Sequence, residues 1–365
     1  MRDGVEGNPG LLESLQMKTL LTLDYEVYFG RRTGTVERCL VEPTRALLEV
    51  AGRHGARLAF FVDAGFILRL RDEMHRSALL RAQHDAICRQ VGVLAGAGHE
   101  IQLHVHPHWE GSRWTEAGWE IDVERFALHA FDPGAIDDII GRYAGVLREL
   151  AGGEAAFAYR AGGWVIQPFD RLRSALLRHG VTIDSTVFPG GHNAGRVQPY
   201  DFRDAPAKSK WRFERDPLVE DASGVFLELP IASHQLRPDF FWRFAAVKKL
   251  GGARHRAFGD GHAIAMEGGD LLRKLLRPTA SVVSMDGYKA SFLEAAAADY
   301  EGRGREDFVV IGHPKALTPY SLERLDAFLA KGRDVVGYAG YCDWTPACAG
   351  VTGRDAGATA MQEAA

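Results

Sequence analysis

The sequence predicts an α/β fold built as a barrel of parallel strands, and two observations support that prediction. Short apolar runs alternate with longer stretches of helical periodicity five or six times along the 365 residues, as a parallel sheet with crossover helices requires. Polar side chains follow the apolar runs at their ends, where the sites of parallel barrels form. The composition, 46% hydrophobic and 25% charged, is that of a globular protein.

Apolar runs bounded by turn residues indicate the strands, and apolar residues at helical spacing indicate the helices. The strands are predicted at 18–24, 58–62, 101–105, 157–160, 181–184, 225–231, 279–285 and 307–311. Proline near a first turn or glycine just past an end marks most of the helices, which are predicted at 42–55, 77–95, 133–150, 169–179 and 318–332.

We expect one domain over residues 17–345, between a disordered N-terminus (1–16) and a disordered tail (350–365). Two irregular insertions, 186–223 and 237–277, interrupt the strand–helix rhythm and are expected over the carboxyl-end face of the barrel. The second insertion holds the aromatic run 240–242 among nine basic residues. It is predicted to be a lid over the main domain, with an interaction surface as the alternative.

Charge and targeting signals bound the function. A net charge of −4 gives no reason to expect nucleic acid as a partner. The four cysteines form no CxxC pair, no secretory signal is visible, and no run of about 18 apolar residues predicts a membrane span. These features predict a cytoplasmic location, while the oligomeric state stays open.

Three histidines, His104, His106 and His108, lie within five residues at the end of an apolar, alternating run. If the chain turns helically there, His104 and His108 project from one face and can hold one metal ion. The alternative is a polar loop whose histidines only cap backbone groups. Three histidines so close together favour metal binding.

Asp24 and Glu26 end the first predicted strand. On an extended backbone the two carboxylates point to the same side, with Tyr25 opposite. Two carboxylates side by side at a strand end are costly unless a proton or a cation joins them. A solvated strand terminus is the alternative.

Candidate site residues recur at the carboxyl ends of successive predicted strands. These residues are Asp24, Glu26, His104, His108, Arg160, Asp184 and His313. In a parallel barrel those ends meet at one face, so the sequence predicts one site built from all of them.

Five short motifs in order resemble those of the NodB-homology polysaccharide deacetylases, carbohydrate esterase family four. They lie at 22–26 (TLDYE), 98–108 (with His104-x-x-x-His108), 159–164 (YRAGGW), 183–185 (IDS) and 310–313 (VIGH). The combination of LDYE with HVHPH further resembles a subgroup associated with surface-polysaccharide and O-antigen synthesis.

The resemblance implies a distorted (β/α)7-8 barrel with a divalent metal, usually Zn²⁺, that hydrolyses an acetamide. It implies Asp24 as the base, His313 as the general acid, Arg160 orienting Asp24, and Asp184 steadying His313. It also implies His104 and His108 as metal ligands.

The sequence departs from the family pattern at Tyr25, where the family has a second aspartate as metal ligand. We predict Glu26 as the replacement, because it lies on the side of Asp24. Tyr25, His106, Trp164 and Leu229 are the candidate substrate contacts. The pair His104-x-His106 also resembles the metal pair of amidohydrolase-type barrels, which is the alternative.

The leading functional hypothesis is a metal-dependent N-deacetylase acting on an acetamido sugar in a glycan or a glycan precursor, so the expected partner is a carbohydrate or a sugar-containing small molecule. One alternative is a metal-dependent hydrolase of non-sugar C–N bonds, of the allantoinase-like and imidase-like kind. A second is a barrel that binds carbohydrate or a partner without turnover.

Overall fold

A curled, mostly parallel sheet is the centre of the computed structural model, which describes residues 16–30, 32–153, 155–195, 198–263 and 275–344. The strands of these residues are β1 (Lys18–Tyr25), β2 (Ala59–Asp63), β3 (Glu100–Val105), β4 (Arg113–Thr115), β5 (Gly118–Glu120), β6 (Ala158–Ala161), β7 (Ile183–Asp184), β8 (His192–Asn193), β9 (Tyr200–Asp201), β10 (Trp211–Phe213), β11 (Phe226–Glu228), β12 (Ser233–Leu236), β13 (Thr279–Val282), β14 (Asp307–Gly312) and β15 (Asp334–Val335). The helices are α1 (Glu42–Arg53), α2 (Ala64–Glu73), α3 (Ala78–Gly96), α4 (Pro133–Ala151), α5 (Asp170–Arg178), α6 (Pro238–Leu250), α7 (Leu293–Gly302) and α8 (Pro319–Leu329).

The strands of the main sheet follow the order β10-β11-β7-β6-β3-β2-β1-β14, and β15 also pairs with β1. Among the described pairings of this sheet, β10 with β11 is antiparallel and the others are parallel. Just beyond β11, Ile231 forms a parallel bridge to Val309 of β14. The sheet therefore curls almost onto itself as a distorted barrel, which confirms the predicted fold class.

Side-chain alternation along the strands assigns each residue to the barrel interior or to the helix layer. In β1, Leu21, Leu23 and Tyr25 pack in the core cluster under the helices, whereas Leu20 belongs to the inner cluster. Asp24 and the following Glu26 therefore face inward together, as the sequence predicted. In β3, Leu103 and Val105 face the helices, so His104 faces inward.

The amino-end side of the barrel is closed by the chain's last described segment, the short helical turn Tyr338–Trp344. Tyr338 and Tyr341 pack in the inner cluster. Glu100, at the start of β3, accepts hydrogen bonds from the backbone N–H groups of Tyr338 (2.8 Å) and Ala339 (2.9 Å). This segment thus covers the amino-end side of the inner cluster.

Three of the described helices were not predicted from the sequence: α2, α7, and α6 within the insertion expected to be irregular. Helix α2 follows β2 without a turn residue between them, and the Asp63 carboxylate caps its start by accepting the N–H of Phe66. Helix α7 is alanine-rich and lacks a clear apolar stripe. Periodicity identifies neither α2 nor α7, because it needs a boundary or a stripe.

The insertion 186–223 lies only in part over the carboxyl-end face. Its ribbon β8–β9 packs there, where Tyr200 meets Trp164 with ring centroids 5.7 Å apart. Its strand β10 instead joins the sheet edge, and Lys210 pairs with Asp307 (2.6 Å) at the opening residue of β14. The insertion 237–277 contains α6, whose Phe240 stacks on Tyr288 (5.5 Å) beside the site face.

The predicted tail and nearly all of the predicted loose N-terminus lie outside the described residues; the exception is Gln16, whose amide donates to the Gly332 carbonyl at 2.7 Å. Within the described ranges, no helix has the length and apolarity needed to cross a bilayer.

Candidate active site

Asp24 lies at the carboxyl end of β1 and is 5% exposed. Its Oδ1 accepts a hydrogen bond from Arg160 Nη1 at 2.7 Å, and the same nitrogen donates to Thr22 Oγ1 at 3.0 Å. Arg160 is fully buried and also donates from Nε to the Ser185 carbonyl at 2.7 Å. The arginine is thus fixed on three sides and holds Asp24 with Oδ2 directed toward the histidines.

Glu26, His104 and His106 form the one cluster of metal-ligand type found among the described residues. One ligand atom of each lies within 4.8 Å of the other two. Glu26 Oε2 is 3.3 Å from His104 Nε2 and contacts His106 Nε2. His104 and His106 share a face because the backbone stays extended through His106, with φ −112° and ψ 93°.

His108 lies apart from this cluster, contrary to the predicted His104–His108 pair. The helical turn Pro107–Glu110 begins only after His106, so His108 is not one turn beyond His104. Its ring packs against Phe29 (4.8 Å) and His106 (5.2 Å). Burial and the neighbouring His106 hold the pKa of His108 well below its usual value, so this imidazole is neutral.

Glu26 is shared between the histidines and a buried lysine that the sequence analysis missed. Lys315 Nζ lies 2.8 Å from Glu26 Oε1, while Oε2 faces His104 and His106. Burial opposes ionisation of Glu26, but Lys315 and the two histidines hold the pKa of the carboxyl well below its usual range. Glu26 is therefore a carboxylate with one oxygen toward the histidines.

His313 follows β14, and its Nε2 lies 3.7 Å from Asp24 Oδ2 and 3.8 Å from Glu26 Oε1. Asp286 accepts from the His313 backbone N–H and pairs with Nδ1, both at 2.8 Å. Burial favours the neutral ring, but the Asp286, Asp24 and Glu26 carboxylates outweigh it and raise the pKa of His313. Asp286 thus occupies the place that the resemblance implied for Asp184.

Asp184 lies on the other face of the sheet. Its neighbour Ile183 points into the inner cluster, so Asp184 points outward, where it pairs in register with Glu228. Asp184 Oδ1 accepts from Thr186 Oγ1 at 2.8 Å. Burial and the Asp184 charge raise the pKa of Glu228 well above its usual value, which favours the protonated form of Glu228 beside Asp184.

The structure places the candidate substrate contacts in different parts of the molecule. Tyr25 is buried in the helix layer, where its hydroxyl donates to Gln90 Oε1 at 2.7 Å. Leu229 is fully buried in the inner cluster. Trp164 remains at the site face, partly buried against Phe188 (5.4 Å) with a strained φ of +63°. Neither Tyr25 nor Leu229 exposes a surface to a ligand here.

The donor set fits a divalent metal ion. One carboxylate and two imidazoles are ligands that zinc prefers, and three protein ligands leave a position open. The His104 Nδ1–H points at the Arg160 carbonyl at 2.8 Å, which directs Nε2 toward Glu26. Burial lowers the pKa of His104, but the carboxylates of Asp24, Glu26 and Asp63 outweigh burial and raise that pKa to about 9. A metal ion bound to this imidazole would therefore replace a proton.

Two features explain why sequence reasoning missed Asp286 and Lys315. Asp286 follows β13 after Ser284, which bridges to Ile311 of β14, and this long-range pairing brings it to His313. Lys315 lies in the turn Pro314–Ala316, and its contact is with a residue 289 positions earlier. A polar residue at a predicted strand end was the available signal for Asp286.

Neither a protein-family model nor a curated protein matches the chain. Similar solved structures include a protein described as a polysaccharide deacetylase from Mycobacterium smegmatis, 15% identical over 89% of this chain and 88% of that one, with TM-score 0.45. The catalytic domain of a peptidoglycan N-acetylglucosamine deacetylase from Eubacterium rectale is 11% identical over 92% and 91%, with TM-score 0.38. Puue allantoinase is 13% identical over 90% and 87%, with TM-score 0.43. At this distance the likeness decides nothing about chemistry, which rests on the site.

Proposed function

We propose that this protein is a metal-dependent hydrolase of a non-peptide C–N bond, and specifically an N-deacetylase of an acetamido sugar in a glycan or a glycan precursor. The observation that carries the proposal is the placement of two oriented groups beside one metal-ligand cluster. Asp24, held by Arg160, and His313, held by Asp286, lie within 4.0 Å of atoms of that cluster.

Glu26, His104 and His106 would hold the metal, and zinc is the ion that this donor set suits best. When bound, the ion supplies a Lewis acid that polarises the acetamide carbonyl and lowers the pKa of water. The pair His104-x-His106 stands at the end of β3, the third strand along the chain.

Asp24 is the general base. Because Arg160 occupies Oδ1, the free Oδ2 takes the proton of water as the water oxygen bonds to the carbonyl carbon. The fixed guanidinium keeps Oδ2 of this carboxylate directed toward His104 and His313.

His313 is the general acid. The neighbouring carboxylates raise the pKa of His313, which favours the protonated imidazole, and Nε2 donates that proton to the amine nitrogen as the C–N bond breaks. Asp286 fixes the ring and balances its charge. The products are acetate and a free amine on the sugar.

The test measures acetate released from N-acetylated sugars and sugar nucleotides by zinc-loaded protein. Asp24→Asn should lower the rate by on the order of 10²–10⁴. Asp138→Asn, at an exposed ion pair with Arg142, is the matched control and should keep the wild-type rate. Loss of activity on chelation and recovery with zinc should accompany this result. Zinc-loaded wild type that releases no acetate from any of these sugars would contradict the proposal.

A further inference from the structure

The carboxylates Asp24 and Glu26 lie side by side at the carboxyl end of β1, and each has its own buried cation. Asp24 pairs with Arg160 at 2.7 Å, and Glu26 pairs with Lys315 at 2.8 Å. Lys315 is 8% exposed, and a lysine is rarely so buried without a specific partner.

The position of Lys315 is fixed by its backbone as well as by its side chain. Its carbonyl accepts from the Tyr28 hydroxyl at 3.2 Å and from the Gly259 N–H at 3.0 Å. Its ammonium donates to the Val27 carbonyl at 2.7 Å and lies 5.0 Å from the Tyr28 ring centroid. The ammonium is therefore held against Glu26 by contacts that do not involve the histidines.

The carboxylate in the cluster belongs to a glutamate, Glu26, and its length explains why a fixed partner such as Lys315 is useful. Glutamate has one more rotatable bond than aspartate, so Glu26 has more ways to turn away from the histidines. With Oε1 bonded to Lys315, Oε2 is the oxygen left facing His104 and His106.

We propose that Lys315 is a positioning residue, an internal counter-ion that holds Glu26 with one oxygen toward the two histidines and keeps the site assembled when no metal is bound. This inference rests on the proposed function for the identity of the cluster as a metal site. Lys315 holds Glu26 in the way that Arg160 holds Asp24.

The first measurement is thermal unfolding of the full chain, after chelation and after zinc addition, for wild type and Lys315→Met. Without metal, the variant removes the cation bonded to the buried Glu26 Oε1 and leaves that oxygen without this partner, so it should lose on the order of 5–15 °C in Tm. Zinc should restore most of that loss because it supplies the missing positive charge at Glu26, while wild type should gain less. Lys315→Arg, which keeps the charge, should retain most of the wild-type Tm.

The matched control is Lys331→Met, which removes a lysine from an exposed ion pair with Glu294. Its Tm should change by no more than about 2 °C, with or without zinc. An equal, small change for Lys315→Met in chelator would overturn the proposal. If wild type binds zinc, a loss in Lys315→Met that zinc leaves unchanged would also overturn the proposal, because a loss of ordinary packing gives that pattern.

A double-mutant cycle in chelator isolates the pair. Glu26→Gln and Lys315→Met should each destabilise the protein, and the double variant should lose clearly less than the sum of the two. Additive losses would contradict the pairing. Should Lys315→Met not fold alone, recovery of folded protein in the double variant supports the proposal, and no recovery overturns it.

None of these measurements uses acetate release. A wild type that binds zinc but deacetylates nothing would end the proposed function and leave the role of Lys315 standing. A wild type that binds no zinc would end the metal site, and the cycle would still decide whether Lys315 compensates Glu26.

Discussion

His106 and His108 carry the same functional group two residues apart, yet the backbone aims them differently. His106 ends an extended segment and reaches Glu26, whereas His108 lies in the following turn against Phe29. We therefore expect His106→Ala to lower zinc affinity by more than 100-fold, because it removes a ligand. His108→Ala should lower it by about tenfold, the low end of the effect of groups around a ligand, because His108 only packs against the His106 ring. Competition with a chelator of known affinity measures the zinc affinity of both variants. A larger loss for His108→Ala than for His106→Ala would mean that His104 and His108 are the ligand pair.

Asp286 is the residue that tunes His313. Its carboxylate adds to those of Asp24 and Glu26 in raising the pKa of His313 above the value that burial alone would give. An acid must be protonated to act, so activity should fall as pH rises through that pKa. Asp286→Asn removes one of these charges and should move the alkaline limb of the kcat/KM profile to lower pH. Asp299→Asn, beside the partly exposed His234, is the control and should leave that limb in place.

Gly162, in the turn after β6, leaves the space that the His106 ring occupies. A Cβ on Gly162 would lie 2.6 Å from His106 Nδ1 and 2.7 Å from the Val105 carbonyl oxygen, closer than such contacts allow. Gly162→Ala should therefore displace the His106 ring and lower zinc affinity by about 10–100-fold with the fold retained. Gly153→Ala, where a Cβ meets nothing within 4 Å, should change neither property. Unchanged zinc binding in Gly162→Ala would show that His106 is free to move.

The neighbouring strands β7 and β11 hold the acid pair Asp184–Glu228. The folded-state pKa of Glu228 lies above its ordinary value of 4.5, so its contribution to stability is full below that pH and declines as pH rises through the raised pKa. Glu228→Gln mimics the protonated acid. The variant should therefore lack this decline in the free energy of unfolding. For one proton, the decline approaches about 1.4 kcal/mol per pH unit.

Denaturant unfolding of Glu228→Gln and wild type between pH 5 and pH 9 measures that difference. The free energy of unfolding of the variant should gain on wild type as pH rises. Glu120→Gln, at an exposed pair with Arg113, controls for loss of one surface charge. Parallel curves for Glu228→Gln and wild type would mean that Glu228 is ionised in the folded protein.

At the scale of the whole molecule, the positions of the main parallel strands and the inward pair Asp24 and Glu26 followed from short-range patterns. Apolar runs define strands, and strict alternation decides which side chains face inward. The choice between His106 and His108 failed because it depends on where β3 stops being extended, a boundary that periodicity does not fix. Asp286 and Lys315 reach the site only through pairings of β14 with distant parts of the chain.

Strands β1 and β3 bring Glu26, His104 and His106 together between Asp24 and His313, and we propose that these three residues form one metal site. The most direct measurement is a crystal structure of zinc-loaded protein with anomalous diffraction at the zinc edge. We predict one ion, ligated by Glu26 Oε2 and by Nε2 of His104 and His106, with Lys315 still bonded to Glu26 Oε1. An ion ligated by His104 and His108, or crystals that take up zinc elsewhere and none between these residues, would contradict the account.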